Sequence, residues 1–312
     1  MNALPRSLII GASGQVGHHL VEKLGENRVI RAGFKPRPGW MQIDLSAVED
    51  ARRQVEKLAA KQAIDAVYCV GGATSAESCE SAPDLAMRAN YLGPAAIASV
   101  CTHIPFIYFS TEYVFDGLHG PYTETAAKNP LNQYGRSKSL GEDAIMAAHP
   151  GALVLRTTVV YGDDPGGKNF LYPLRMLLAD GRPMLVPSDQ ISTPTYNCDL
   201  AEAAIALVKG GHKGIFNVSG RELLSRYEFA VQAAGYLKLD PKKIIGVPTE
   251  KLGQAARRPL RAGLLIDKLE ATLPGLRMRP IAEGMDEFLS LVPENPVRLQ
   301  SSTQWAREHS DE

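Results

Sequence analysis

The sequence predicts an α/β protein built on a doubly wound parallel sheet, and three observations support this. Short apolar runs alternate with amphipathic helical segments over the first 160 residues. The first apolar run, Arg6–Ile10, leads directly into a glycine-rich loop and a helix. Polar residues follow several of the predicted strands, at the edge where open parallel sheets bind ligands. We therefore expect a ligand site along the carboxyl ends of the strands.

The alternation of patterns predicts six strands and four helices in this half of the chain. The strands are expected at Arg6–Ile10, Arg28–Phe34, Met41–Leu45, Asp65–Val70, Pro105–Ser110 and Ala152–Val160, the last of them closing the cofactor half of the chain. The helices are expected at Gln15–Leu24, Ala47–Ala60, Pro83–Cys101 and Asn132–Ala148.

The loop Gly11–Gly17 has the spacing G-x-x-G-x-x-G between a predicted strand and a predicted helix. Gly11 permits the tight turn, Gly14 lets the backbone approach a diphosphate, and Gly17 lets helix and strand pack closely. The helix N-terminus then offers free N–H groups to the anion. A glycine cluster alone could be a plain turn, but strand, loop and helix in this order predict a dinucleotide site of the Rossmann type.

Two cations, Lys35 and Arg37, follow the second strand, where the adenosine ribose would lie. An acidic residue there would bind the ribose 2′-hydroxyl, whereas cations can receive a 2′-phosphate. The pattern favours NADP; NAD stays the alternative, because loop cations are often only solvated. The fourth strand ends in Gly71, Gly72 and Ala73, which leave room for a cofactor against the backbone or form a simple turn.

Tyr134 and Lys138 lie four residues apart in a predicted helix, so their side chains share one face. A nearby ammonium stabilises a phenolate, and we expect Lys138 to lower the pKa of Tyr134. Thr111 follows the fifth strand and can offer a hydroxyl to a substrate. A lone Tyr-x-x-x-Lys also occurs on ordinary surface helices, but behind a dinucleotide loop it indicates a short-chain reductase.

Beyond Val160 the alternation of strand and helix lapses, and turn-forming residues fill the loop 161–168. We predict a dinucleotide-binding domain over residues 1–161 with a return segment near 195–219, and a smaller, discontinuous C-terminal substrate lobe mainly within 162–312. Helical spacing recurs at Asn169–Ala179 and Leu223–Leu237. The polar tail after Pro296 is expected to be mobile.

Composition narrows the class of protein. At 312 residues the chain can bury a sizeable core. Its 34 basic and 34 acidic residues balance, so no large electrostatic field attracts nucleic acid or an anionic membrane. The apolar runs fall short of the roughly 20 residues of a membrane span, and the N-terminus shows no signal-peptide pattern. The four cysteines have no Cys-x-x-Cys spacing and are expected to be reduced. We expect a cytoplasmic protein without nucleic-acid or membrane partners, and the sequence allows a homodimer.

Four patches of the sequence resemble an extended short-chain dehydrogenase/reductase and, within that superfamily, the dTDP-4-dehydrorhamnose reductase family. They are Gly11–Gly17, Ser110–Gly117 with Pro121–Glu142, Asp189–Thr195 with Asp199–Ala201, and Arg257–Pro259 with Asp267–Glu270. The phrases Ser-Thr-x-Tyr-Val-Phe-Asp-Gly and Asp-Gln-x-x-x-Pro-Thr are the most specific to the family. The chain departs from it at Glu112, where aspartate is usual, and at Gly71–Ala73, where Asn-Ala-Ala is more common.

The resemblance implies reduction of the C4 ketone of a nucleotide-activated 6-deoxy-4-keto sugar by NADPH, without a metal. Thr111, Tyr134 and Lys138 would be catalytic, with Tyr134 protonating the developing alkoxide. The implied cofactor contacts are Gly11, Ser13, Gly14, Gln15, Val16, Gly17, Lys35, Arg37, Asp44, Leu45, Gly71, Gly72 and Ala73, with Tyr134 and Lys138. The implied substrate contacts are Glu112, Tyr113, Asn169 and Arg258.

Other interpretations of these residues stay open. Arg257 and Arg258 would bind the substrate diphosphate, or would form a salt-bridged surface pair. Asn90 has an implied structural role behind the site, or is capped or solvated. The same Tyr-Lys pair would also serve a nucleotide-sugar epimerase that retains NAD. A further alternative is a non-catalytic NADP-binding regulatory subunit similar to the β subunit of methionine adenosyltransferase.

Overall fold

A computed structural model of the chain describes residues 6–61 and 63–291. It contains thirteen strands within these ranges: β1 Ser7–Ile10, β2 Val29–Gly33, β3 Met41–Gln42, β4 Ala66–Cys69, β5 Phe106–Thr111, β6 Leu153–Thr157, β7 Val160–Tyr161, β8 Met184–Pro187, β9 Ile191–Ser192, β10 Thr195–Tyr196, β11 Gly214–Asn217, β12 Leu224–Ser225 and β13 Ile244–Val247. The predicted tail after Pro296 lies outside the described residues, as do both outer ends of the predicted domains.

The α-helices of the described ranges connect and cover these strands. They are α1 Gly17–Leu24, α2 Val48–Ala60, α3 Ala76–Ser81, α4 Pro83–Met87, α5 Gly93–Val100, α6 Gln133–Ala148, α7 Leu171–Ala179, α8 Asn197–Lys209, α9 Arg226–Tyr236, α10 Asp267–Thr272 and α11 Ile281–Leu291. The helix predicted over Pro83–Cys101 is interrupted by a π-helical turn at Arg88–Leu92 between α4 and α5. Such turns are frequent at functional sites.

Seven parallel strands form the main sheet in the order β11-β6-β5-β4-β1-β2-β3. Consecutive residues of a strand face opposite sides, so Leu8 and Ile9 of β1 enter different cores. The core around Ile9 packs on α1 and α8, and the core around Leu8 packs on α2, α5 and α6. Helices therefore cover both faces of the sheet, which confirms the doubly wound α/β fold.

The sixth strand is shorter than predicted, and it is not the edge strand of the main sheet. It ends at Thr157, and Val159 adopts a left-handed backbone with φ 41°, which is rare for a β-branched residue and breaks the strand. The next two residues form β7, which pairs with β10 instead. The edge position beyond β6 is taken by β11, which the sequence analysis did not identify, within the predicted return segment.

The remaining elements build a smaller core beside the sheet. Tyr161, Leu171, Phe229 and Met285 are buried together there, so α7, α9 and α11 share one packing centre. Two short sheets, β9–β12 and β8–β13, flank it. This arrangement accords with a substrate lobe drawn from two stretches of chain, although its boundaries stay a prediction.

Two further expectations concern the whole described part of the chain. All four cysteines are buried and free of disulfides, as predicted. Within residues 6–61 and 63–291, none of the helices combines the length and the apolar character that crossing a membrane requires.

Candidate active site

An open cavity of about 720 Å³ lies at the carboxyl edge of the main sheet. Its wall includes most residues singled out from the sequence: Gly11, Ser13, Gly14, Gln15, Val16, Asp44, Leu45, Gly71, Gly72, Ala73, Thr111, Glu112, Tyr113, Tyr134, Lys138 and Arg258. Parallel strands bring their carboxyl ends to one edge, so the turns after β1, β4 and β5 meet although they are distant in sequence.

Five predicted site residues do not line the cavity, and one of them is Arg257, which is exposed. Gly17 packs on the turn, and a Cβ there would overlap the carbonyl of Gly11, so its role in close packing is supported. Asn169 is buried and donates hydrogen bonds to the Gln15 side chain at 3.1 Å and the Gly162 carbonyl at 2.8 Å. Lys35 and Arg37 are exposed beyond the end of β2.

The glycine loop has the close approach that a dinucleotide site needs. Gly11 has φ 94°, and a Cβ at this position would collide with the backbone of Gly71. Gly72 lies against the Asn90 side chain and has no room for a Cβ either. The backbones after β1 and β4 therefore pack directly against each other and form one narrow floor, which a Cβ at Gly11 or Gly72 would disrupt.

Asn90 holds this floor from behind. Its side chain accepts from the Ala73 N–H at 2.9 Å and donates to the Ala73 carbonyl at 2.8 Å and the Ser137 hydroxyl at 3.0 Å. It is fully buried within the π-helical turn. The interpretation of Asn90 as capped or solvated is wrong, and the structural role is supported.

Lys138 is buried on α6 and forms part of the cavity wall. Its Nζ donates to the Phe109 carbonyl at 2.9 Å and lies 4.5 Å from the centre of the Tyr108 ring. Burial disfavours the charged form and lowers the pKa of Lys138 to about 8. The ammonium is thus fixed in place, one helical turn from Tyr134.

The phenol of Tyr134 does not show the lowered pKa that the sequence predicted. Burial raises the pKa of Tyr134, and the charge of Glu112 raises it further, while the Thr111 hydroxyl acts in the opposite direction. Desolvation therefore outweighs any help from Lys138, whose ammonium is directed at the Phe109 carbonyl. The predicted direction of the shift is wrong for the protein without its ligands.

Glu112 is a buried carboxyl group directly beside these residues. It is only 6% exposed, and its Oε2 accepts a hydrogen bond from the Thr111 hydroxyl at 2.8 Å. Burial raises the pKa of Glu112 above its usual range. The Thr111 oxygen also accepts from the Tyr113 N–H at 3.2 Å, which fixes the hydroxyl between β5 and the following turn.

Two arginines reach the cavity from the smaller core, but only one was predicted. Arg258 forms an ion pair with Glu77 at 2.7 Å, so the salt-bridge interpretation of this residue holds in part. Arg226, at the start of α9, was missed, because one arginine in a helix gives no sequence signal. Its guanidinium stacks 5.1 Å from the Phe170 ring and makes no hydrogen bond with the described residues.

Thr157 and Thr158 at the end of β6 were also missed. Both line the cavity, and both hydroxyls are buried without a hydrogen-bond partner among the residues that the structure covers. The rule that singled out Thr111, a polar residue at the carboxyl end of a strand, would have found them. The sequence analysis placed them inside an overlong strand instead.

Three groups that can ligate metals, His18, His19 and Asp163, lie together outside the cavity wall. His18 already contacts Asp163 at 3.1 Å and the Gly14 carbonyl at 3.3 Å through its two ring nitrogens. The contact with Asp163 ties α1 to the loop that leaves the main sheet. These contacts give the polar groups of His18 and Asp163 hydrogen-bond partners without a metal ion.

Comparison with known proteins adds to this geometry. Residues 6–292 match the sequence profile of the family described as RmlD substrate binding domain. The dTDP-4-dehydrorhamnose reductase of Mycobacterium tuberculosis is 33% identical over 262 residues, covering 81% of this chain and 82% of that protein. Methionine adenosyltransferase 2 subunit beta of Danio rerio is 31% identical over 294 residues, covering 91% and 90%.

A solved structure has the same overall arrangement. The dTDP-4-dehydrorhamnose reductase of Bacillus anthracis, crystallised in complex with NADP, superposes with a TM-score of 0.82 at 28% sequence identity. The match covers 92% of this chain and 99% of that structure. The likeness therefore extends over both the sheet and the smaller core.

Proposed function

This chain belongs to the RmlD substrate binding domain family, and from that premise we propose that it reduces the C4 ketone of a nucleotide-activated 6-deoxy-4-keto sugar with NADPH. It is an NAD(P)H-dependent oxidoreductase of the short-chain type. One observation carries the proposal: Thr111, Tyr134 and Lys138 line the same cavity as the glycine floor. A proton donor and a dinucleotide cradle thus share one cleft.

NADP fits the residues that are present. The floor has no room for a Cβ at Gly11 or Gly72 and leaves backbone for the diphosphate, while Lys35 and Arg37 extend beyond β2 toward solvent. The bound cofactor would supply the hydride to the ketone carbon. Lys138, held by the Phe109 carbonyl, would orient the nicotinamide ribose.

The chain itself supplies the proton and the orientation of the ketone. Tyr134 would donate its phenolic proton to the oxygen that gains charge as hydride arrives, and Thr111 would hydrogen-bond the same oxygen. The raised pKa of Tyr134 keeps the phenol protonated at neutral pH. The residue is therefore in the form that a donor requires, without the predicted help from Lys138.

The substrate diphosphate needs cations on the side of the smaller core. Arg226 and Arg258 both line the cavity there. Arg226 has a guanidinium without a hydrogen-bond acceptor in the described structure, whereas Arg258 is neutralised by Glu77. We assign the stronger phosphate contact to Arg226 and a supporting one to Arg258.

A regulatory subunit is the second candidate, because the Danio rerio relative is named as the beta subunit of methionine adenosyltransferase 2. Binding of NADP alone would suffice for such a role. The presence of Thr111, Tyr134 and Lys138 around one cleft favours the enzyme.

The deciding experiment is an assay of NADPH oxidation against a panel of nucleotide-linked 4-keto sugars, with Tyr134→Phe as the control. Turnover that depends on Tyr134 is expected. NADPH binding without turnover of any panel member would favour the regulatory subunit. A tightly held NAD that survives purification, seen in the absorption spectrum, would favour an epimerase.

A further inference from the structure

The segment 254–258 carries Arg258 to the cavity, although it forms neither a helix nor a strand. Its N–H and C=O groups make no hydrogen bonds to other backbone groups of the described chain. Such a segment needs contacts with side chains to keep one conformation, because ordering a backbone costs conformational entropy. Two side chains supply these contacts: Glu77 on α3 and Asn132 at the start of α6.

The Glu77 carboxylate holds the segment through both of its oxygens. Oε2 accepts from the Ala255 N–H at 2.9 Å, and the Ala256 nitrogen lies 3.3 and 3.4 Å from the two oxygens. Oε1 also accepts from Nη2 of Arg258 at 2.7 Å. The described residues give the N–H groups of Ala255 and Ala256 no other acceptor. Glu77 therefore fixes the backbone and the arginine side chain of one segment at the same time.

Asn132 holds the same segment from the other side. Its side-chain oxygen accepts from the Gly135 N–H at 2.8 Å, which caps α6, and its amide nitrogen donates to the Arg257 carbonyl at 2.7 Å. The segment is thus fixed between the helix turn that carries Tyr134 and α3, whose first residue, Ala76, lines the cavity.

These contacts hold the Arg258 guanidinium in the cavity wall. The side chain is only 11% exposed, and the guanidinium carbon lies 5.8 Å from the centre of the Tyr113 ring. Arginine has five N–H donors, and the hydrogen bonds to Glu77 and Gln254 use two of them, so donors remain for a phosphate. Because Glu77 neutralises the charge of Arg258, the contribution of this arginine depends on where its remaining donors point.

We propose that Glu77 is a positioning residue for sugar-nucleotide binding, which acts by holding Arg258 toward the substrate diphosphate. This inference rests on the proposed function and adds to it the group that fixes one of the phosphate contacts. An ordinary surface ion pair contributes little, so its loss leaves a binding site unchanged. Glu77 differs from such a pair because its carboxylate also binds two backbone N–H groups of the segment that carries Arg258.

The proton donor is held by separate contacts, so the effect of Glu77 should be confined to the substrate. Lys138 ties α6 to β5 through the Phe109 carbonyl. Glu80, one turn after Glu77 on α3, accepts from the Gln133 N–H at 2.8 Å and holds the start of α6. Replacement of Glu77 leaves both contacts in place. We therefore expect a change in KM for the sugar without a change in kcat.

Glu77→Gln tests the proposal, because glutamine keeps the size but replaces one acceptor oxygen with an NH₂ group that faces other donors. We expect KM for the nucleotide sugar to rise by about 3–10-fold, the equivalent of one hydrogen bond, with kcat and NADPH affinity within about 2-fold of wild type. In the Arg258→Ala background, Glu77→Gln should raise KM no further. Glu270→Gln, the matched control, removes an ion pair with Arg221 at similar exposure of the carboxylate and should leave all three quantities unchanged.

An unchanged KM in Glu77→Gln would overturn the proposal. An increase in KM that adds fully to that of Arg258→Ala would overturn it as well, because Glu77 would then act through another group. Parallel losses of kcat, NADPH affinity and resistance to urea would show a merely structural role and would count against it in the same way.

Hydrogen exchange of the wild-type protein tests the contacts without any variant. Relative to their intrinsic rates, the amides of Ala255 and Ala256 should exchange more slowly than that of Gln254, which has no backbone acceptor in the described chain. This protection should be lost in Glu77→Gln. Equal exchange of the three amides in wild type would show that Glu77 does not hold the segment and would overturn the proposal.

A calorimetric titration with dTDP separates failure of this inference from failure of the proposed function. If wild type reduces no 4-keto sugar, the proposed function fails, and the affinity for dTDP decides the role of Glu77. An affinity about 3–10-fold lower in Glu77→Gln than in wild type supports the positioning role, since it is again the loss of one hydrogen bond. Equal affinity of the two proteins, or no binding of dTDP by wild type, would overturn it.

Discussion

The Nζ atom of Lys138 lies 2.9 Å from the backbone oxygen of Phe109 and donates a hydrogen bond to it. This contact joins α6 to β5 two residues before Thr111. Because Tyr134 lies one turn earlier on α6, the same bond anchors its part of the helix beside the end of β5. Lys138, the proposed cofactor contact, thus also holds the helix turn that carries the proposed proton donor.

Tyr134→Phe should abolish most of the activity while leaving the fold intact. The change keeps the ring and its edge-on packing against Tyr113 at 5.6 Å but removes the phenolic proton. We expect kcat to fall by about 10²–10⁴-fold, with NADPH affinity nearly unchanged. Steady-state kinetics and fluorescence titration measure the two quantities. A variant that reduces 4-keto sugars at the wild-type rate would refute the proposed proton donor.

Lys138→Met should weaken NADPH binding as well as turnover, and should change how stability depends on pH. The pKa of Lys138 falls from 10.5 to about 8 on folding, so between these values the unfolded chain holds a proton that the folded chain has released. Wild-type stability should therefore rise relative to Lys138→Met as the pH increases from about 8 to 10.5, by about 3 kcal/mol.

Urea unfolding at a series of pH values measures this difference, because all other titrating groups are shared by the two proteins. A constant difference across the range would show that Lys138 titrates as an exposed lysine. A fall in wild-type stability relative to Lys138→Met as the pH rises would show that the folded state raises the pKa of Lys138 instead.

The sequence was a good guide to the fold and to the cavity floor, because both depend on local patterns. Apolar runs and glycine spacing predicted the strands β1, β2, β4 and β5 and the turns after them. Of the residues missed, Arg226 has no such pattern, whereas Thr157 and Thr158 lie at the end of a strand but were assigned to the interior of a longer one. Arg226 enters the cavity only because α9 packs beside the sheet, and Thr157 is exposed to it because Val159 breaks β6.

The predicted pKa of Tyr134 was wrong for a related reason. Helical spacing correctly placed Lys138 on the same face, but it contains no information on desolvation or on the direction of the ammonium. Both depend on the tertiary contacts with Phe109 and Glu112. Sequence spacing thus predicts which groups meet, and burial decides their protonation.

The preference for NADPH over NADH should depend on Lys35 and Arg37. Both are exposed after β2, and the Arg37 guanidinium lies 5.1 Å from the Trp40 ring, which limits its motion. Combined replacement by alanine should reduce NADPH affinity by about 10–100-fold and leave NADH affinity unchanged, since the two exposed contacts are screened by solvent and together are worth about 1.5–3 kcal/mol.

Fluorescence titration of both cofactors measures the effect. Replacement of Arg53 and Lys57, two exposed cations on α2, provides the matched control for net charge. Equal losses in both double variants would indicate a general charge effect, and tighter binding of NADH by wild type would contradict the assignment.

Arg226→Ala should raise KM for the nucleotide sugar more than Arg258→Ala does. Arg226 has no hydrogen-bond acceptor for its guanidinium in the described residues, whereas Arg258 is already paired with Glu77 at 2.7 Å. We expect about a 10–100-fold increase for Arg226→Ala, the equivalent of a lost charged hydrogen bond. Arg221→Ala, at an exposed pair with Glu270, is the control and should change little.

The same assays with NADPH as the varied ligand separate the two sides of the cavity. NADPH affinity should stay near the wild-type value in both arginine variants. Loss of cofactor binding with an unchanged KM for the sugar would show that Arg226 and Arg258 contact the cofactor and not the sugar nucleotide.

The ion pair of Arg156 and Glu142 should be the most sensitive buried contact near the site. Arg156 is 1% exposed and binds both carboxylate oxygens of Glu142, at 2.9 and 2.7 Å, while Ser110 donates to the same carboxylate at 2.6 Å. The pair thereby joins α6 to β5 and β6. Arg156→Met leaves a buried carboxylate without its main partner and should destabilise the fold by about 3–5 kcal/mol.

Replacing both members at once should be less harmful, because no buried charge is left alone. Arg156→Met with Glu142→Leu is therefore expected to be more stable than Arg156→Met alone, as measured by urea unfolding. Arg277→Met, at an exposed pair with Glu283, should cost less than about 1 kcal/mol. If the double variant instead loses as much stability as the two single changes summed, Arg156 and Glu142 act independently, and the pair does not couple α6 to β5 and β6.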